Sequence, residues 1–215
     1  MTAKRSRGAW AAVALLSVVA TACSADGGDA VAKGQSASEV CGGFAGEPVV
    51  TSALEAIAGK GVPLTSDQSE PERVVSELRK AAQTQQSGKQ RMKGIPFCAL
   101  EVAADEKDVL TVTLREALAV PSREASKEFV TFYSTGRAAT SSDLFASIYF
   151  DCRMKAPAHD IVLSAELERA DENEADHPGI REEQITLANA AARKVADQLG
   201  CTGTGLATGV PPTRS

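Results

Sequence analysis

Four cysteines, Cys41, Cys98, Cys152 and Cys201, constrain what this 215-residue chain can fold into, and the first 22 residues decide which environment they meet. Lys4, Arg5 and Arg7 form a basic start with no acidic neighbour. Trp10 to Val19 is then an apolar run interrupted only by Ser17, and Ala20, Thr21 and Ala22 are small. Basic, apolar and small residues in that order read as a secretory signal peptide over 1–22. The apolar run falls well short of the roughly 20 residues a permanent membrane helix needs. In an oxidising compartment an even set of cysteines reads as two disulfides. None forms C-x-x-C, so a thioredoxin-like redox role has no support, and the wide spacings do not suit a zinc site.

The small residues lead straight into Cys23, and Ala20-Thr21-Ala22-Cys23 resembles the lipobox of bacterial lipoproteins. Ala20 stands where that pattern prefers Leu. The resemblance implies cleavage before Cys23 and lipidation of its thiol, so that the membrane is a partner through a lipid anchor on the extracytoplasmic face. The competing expectation is ordinary cleavage after Ala22 and a soluble secreted chain. Residues 23–37 are small, polar and Gly-containing, the composition of a flexible tether, which an anchored domain requires.

The signal holds three of the 23 basic residues and none of the 28 acidic ones, so the mature chain carries 20 against 28, a net charge of about −8. Nucleic acid and polybasic attachment to anionic lipid both need positive charge, and neither is expected. Residues 38–203 suffice for a single domain with its own core.

Apolar spacing at Val50, Leu54, Ile57 and Ala58 after Pro48 predicts a helix that Gly59 and Gly61 end. A second helix is predicted from Ser69 as cap and Pro71 as first-turn residue, burying Val74, Val75, Leu78, Ala81 and Ala82. Cys98, Leu100 and Val102 alternate with polar or small residues, as do Leu110, Val112 and Leu114 beyond a polar turn, predicting a hairpin. Phe129 to Tyr133 reads as a further strand and Thr140 to Ser142 as a turn. Phe145–Met154 and Ile161–Glu168 form a second hairpin with a polar outer face. A long helix from Glu182 to Leu199, ended by Gly200, closes the domain, and residues 204–215 are expected to be disordered.

The expected fold is therefore α+β: an antiparallel sheet of four to five strands, packed on one face by two N-terminal helices and one long C-terminal helix. Each half of the chain places one cysteine on an inward strand face and one at a helix border. That favours Cys41–Cys98 with Cys152–Cys201, while Cys98–Cys152 with Cys41–Cys201 remains open. The arrangement resembles a class of actinobacterial exported lipoproteins of unknown function. The likeness is carried by the signal up to Cys23, Cys41-Gly-Gly-Phe44, the stretch Gly136–Cys152 and the stretch Ala188–Cys201. It implies envelope residence and transfers no active site.

Chemistry-bearing candidates are few. His159 beside Asp160, and His177 after Asp171, Glu172, Glu174 and Asp176, are expected to be solvated. No G-x-S-x-G elbow nominates a serine nucleophile, the acidic run lacks EF-hand spacing, and the terminal glycines precede no strand. Lys89, Arg91 and Lys93 are read as a solvated loop, and Glu166 with Glu168 as a polar sheet surface. No metal, cofactor or catalytic residue is expected. The expectation is a non-catalytic envelope domain binding a small molecule, a lipid or another envelope protein. The alternatives are a motif-poor enzyme and the solute-binding lipoprotein of a transporter.

Overall fold

Alternation of apolar and polar residues builds most of the sheet, and the computed structural model, which describes residues 34–66, 69–84, 93–120, 130–170 and 179–214, shows how the rest joins it. The elements are α1 (Val40–Gly43), α2 (Pro48–Ala58), β1 (Leu64–Thr65), α3 (Pro71–Gln83), β2 (Ile95–Val102), β3 (Asp108–Glu116), β4 (Thr131–Phe132), β5 (Ala138–Ser141), β6 (Phe145–Cys152), β7 (Ile161–Arg169) and α4 (Ile180–Leu199). The strands make one antiparallel sheet in the order β1-β2-β3-β7-β6-β5-β4. Two meanders, β1-β2-β3 and β4-β5-β6-β7, thus meet along β3 and β7. The fold is α+β, with the helices on one face.

Among the described residues the sheet has seven strands, not four to five. The two unforeseen strands are β1, two residues long, and β5, whose Ala138, Ala139, Thr140 and Ser141 were expected to end in a turn. Both lack a readable period, because one is too short and the other has no bulky residue to mark its inward face. Ala139 and Ser141 are nonetheless buried, facing α4. Small residues there let the helix approach the sheet closely.

Inward side chains from the central strands (Val112, Leu114, Ile148, Phe150, Leu163, Leu167) form the core with Leu54, Val74, Ile185, Leu187 and Val195. The register between β2 and β3 shifts between Pro96 and Cys98, so Phe97 and Cys98 are consecutive yet both buried. A bulge of this kind re-aims a side chain. Phe97 meets Phe44 edge to face at 5.8 Å between ring centroids. Cys98 bridges to Cys41, and Cys152 bridges to Cys201, with Cα separations of 5.4 and 4.7 Å. Each bond ties an inward strand position to a helix border. The favoured pairing is the one formed.

Two local expectations are corrected. Ser69 does not cap α3; Glu70 occupies that position without a side-chain cap. The Ser69 hydroxyl instead accepts from the Ala99 N–H at 2.9 Å and donates to the Ala99 carbonyl at 3.2 Å, pairing the edge of β2 beyond the end of β1. Nor is the tail over 204–214 loose. Tyr133 pairs with Thr213, the Arg214 N–H donates to Phe132 O, and Pro211 is buried. The glycines there serve tight turns rather than freedom. The Gly136 N–H donates to Gly205 O at 2.8 Å, and a Cβ on Gly136 would lie 2.4 Å from Tyr149 O. At the opposite edge Gln35 pairs with Leu64. Both sheet edges are thereby covered by terminal segments, which blocks edge-to-edge association.

The tail also explains α4. Its sequence shows one apolar face, yet Gln184 to Ala192 is buried without a break. The sheet covers one side, α2 and α3 pack against it, and the tail reaches it through Asn189. The signal, Cys23 and the tether as far as residue 33 lie outside the described residues. Among the described residues no helix is long and apolar enough to cross a membrane.

Candidate functional site

The helices leave the other sheet face to a set of outward side chains fixed by register. One cross-strand row is Thr111, Glu168 and Phe145; the next is Thr113, Glu166 and Ser147; the third is Arg115, Ser164 and Tyr149. Arg115 donates from Nε and Nη2 to Glu166 Oε1 at 3.1 and 2.5 Å. That hydrogen bond raises the Arg115 pKa above its usual value, against the opposing effect of burial. Burial raises the Tyr149 phenol, and the Glu166 charge pushes it the same way. Ser164 is fully buried in this row, and its hydroxyl has no hydrogen-bond partner among the described residues.

At the end of this face where β3 and β6 begin and β7 ends, the sheet forms a cleft of about 610 Å³. Asp108, Leu110, Thr111, Leu144, Phe145, Glu168, Arg169 and Ala170 line it. Phe145 is half exposed, an uncommon state for a phenyl ring. Asp108 and Glu168 are exposed, whereas Arg169 is buried. The rim is braced from α4: Arg181 Nε donates to Asp143 Oδ1 at 2.7 Å, and Gln184 Nε2 donates to Asp143 O at 2.9 Å.

The structure disperses the residues singled out in the sequence. Glu166 and Glu168 share the outward face as expected, with Glu166 engaged by Arg115. His159 is exposed in the β6–β7 loop, where its backbone N–H donates to Ala82 O. Nine residue steps along β7 and its approach separate His159 from Glu168, about 30 Å at the rise of an extended strand. Asp160 faces Arg153 at 3.8 Å in an exposed pair. Lys93 is exposed, while Lys89, Arg91, Asp171, Glu172, Glu174, Asp176 and His177 lie outside the described residues. Among the described residues, no three His, Cys, Asp or Glu side chains gather as a metal site requires.

Phe145 was the legible clue that sequence reasoning passed over. It has the same strand parity as Ser147, Tyr149 and Asp151, so it had to face outward with them. Asp108 and Arg169 carry no such signal, because their place follows from the junction of β3 with β7. Comparison with known protein families, curated proteins and solved structures returns no match.

Proposed function

We propose that the chain is a lipid-anchored, extracytoplasmic binding domain without catalytic activity, held to the membrane by acylated Cys23 and presenting the open sheet face to a ligand. The observation that carries the reading is the cleft around Phe145 on the face the helices leave bare. Its size falls within the range of small-molecule sites, roughly 300–1,000 Å³. Among the described residues His159 stands apart from the carboxylates of this face, which favours the binding reading over the motif-poor enzyme, while His177 lies outside the described residues. A two-lobed solute-binding lipoprotein finds no support either, since residues 32–215 form a single unit.

Native mass spectrometry of the protein released from its own membrane tests the reading. A mass beginning at Cys23 with acyl groups, together with a reproducible adduct lost in a Phe145→Ala variant, is the expected result. A bare polypeptide would remove the anchor and leave a secreted domain. An acylated chain that never carries an adduct would remove the ligand.

A further inference from the structure

Resting on the reading of the open face as a ligand site, we propose that the cleft takes a linear organic cation with two or more ammonium groups, a polyamine in chemical class. The argument begins with its charges. Among the described residues, Asp108 and Glu168 are the solvent-facing ionic groups of the lining; Arg169 is only 7% exposed and lies close enough to Asp143 to act on its charge. An anionic ligand would meet two carboxylates before it met the arginine.

Spacing then selects among cations. Glu168 is directly opposite Thr111, and Asp108 lies three residues back along β3. Strand rise and strand separation place their Cα atoms about 11 Å apart. One divalent metal ion cannot span that, since its oxygen ligands lie at about 2.3–2.6 Å. A linear polyamine can, with an ammonium group at each carboxylate and the methylene chain between them.

The floor suits such a chain. Leu144 and the Thr111 methyl offer apolar contact, and the half-exposed ring of Phe145 stands across the sheet row from Glu168. A ring face attracts an ammonium group or the polarised methylenes beside it. Each ion pair in so exposed a place contributes little alone. Two on one flexible chain act together, because binding at the first raises the effective concentration at the second.

Isothermal titration of spermidine into the purified mature protein at low salt tests this. Binding is expected, with n-butylamine at least about tenfold weaker. The paired change Asp108→Asn with Glu168→Gln should weaken spermidine by about tenfold or more, and Phe145→Ala by a smaller factor. The pair Glu72→Gln with Glu77→Gln removes the same charge from the exposed side of α3 and should leave affinity within about twofold. No heat at millimolar spermidine, equal loss in both pairs, or no loss in the first would each overturn the proposal. If spermidine fails while the native protein still carries an adduct, the ligand class is wrong and the site reading stands. If neither is found, both fall.

Discussion

Thr135 donates its hydroxyl hydrogen to Asn189 Oδ1 at 2.7 Å in a contact closed to solvent. Asn189 Nδ2 donates to the Ala207 carbonyl at 2.8 Å, and the Ala207 N–H returns to the Thr135 hydroxyl at 2.9 Å. Three segments distant in sequence thus close one ring of hydrogen bonds, and the tail is held against α4 by it. Asn189→Ala leaves the buried Thr135 hydroxyl and the half-buried Ala207 carbonyl short of partners. Each such group costs about 1–3 kcal/mol. A loss of about 2–4 kcal/mol is expected from urea unfolding at unchanged slope. Limited proteolysis of the same variant should cut first within 204–214. Unchanged stability and unchanged cleavage would show that something other than this ring retains the tail.

Ser69 supplies a different kind of pairing. Its hydroxyl serves both the N–H and the carbonyl of Ala99, the two groups that a longer β1 would have satisfied. Ser69→Ala should cost about 1–2 kcal/mol. The change should also be local. Hydrogen exchange at the Ala99 amide should accelerate, while the Val112 amide in β3 keeps its protection. Equal acceleration at both would mean global destabilisation rather than loss of an edge partner.

The two disulfides close separations of 57 and 49 residues. On the chain-entropy account each such loop stabilises by about 4 kcal/mol, a figure that native strain or residual unfolded structure reduces. Cys152 and Cys201 join the end of β6 to the end of α4, where the tail departs. Replacing both with Ser should therefore lower the melting temperature and free the tail to proteolysis. Replacing Cys41 and Cys98 should lower the melting temperature by a similar amount and leave the tail protected, because that bond ties α1 to β2. Protection lost equally in both pairs would contradict this division.

Much of this fold was legible because burial on one face writes a period into sequence. Cys98, Leu100, Val112, Leu114, Ile148 and Phe150 alternate with polar partners, and α2 and α3 carry helical stripes. What failed to show had a physical reason. Ala138 to Ser141 is a strand of small residues because α4 packs close to it, so no apolar contrast marks it. The glycines and prolines of 203–212 looked like a free end. Their role depends on Asn189 and Thr135, which lie far away in sequence and were unremarkable where they stood. The cleft was half visible. Phe145 had outward parity, but Asp108 and Glu168 become neighbours only when β3 pairs with β7, a connection between the two meanders that local pattern does not encode.

Asp143 gives the acid limb of stability a readable contribution. Its carboxylate is held below its ordinary range chiefly by the hydrogen bond from Arg181, with the Arg181 and Arg169 charges adding to it and slight burial opposing. A carboxylate whose folded pKa is depressed binds fewer protons folded than unfolded. Its stabilisation is therefore complete above the unfolded value, near pH 4, and is lost as pH falls through the folded value below that. Asp143 is 55% exposed, so solvent screening keeps the effect to a few tenths of a kcal/mol. Asp143→Asn should be less stable than the native chain by about that amount at pH 7 and at low salt. The difference should shrink in molar salt, and shrink again as the pH falls below 4 through the lowered folded value and the native side chain takes up its proton. A deficit that did not shrink as the pH falls would trace to lost geometry at the α4 N-terminus, where Gln184 grips the same loop, rather than to the charge.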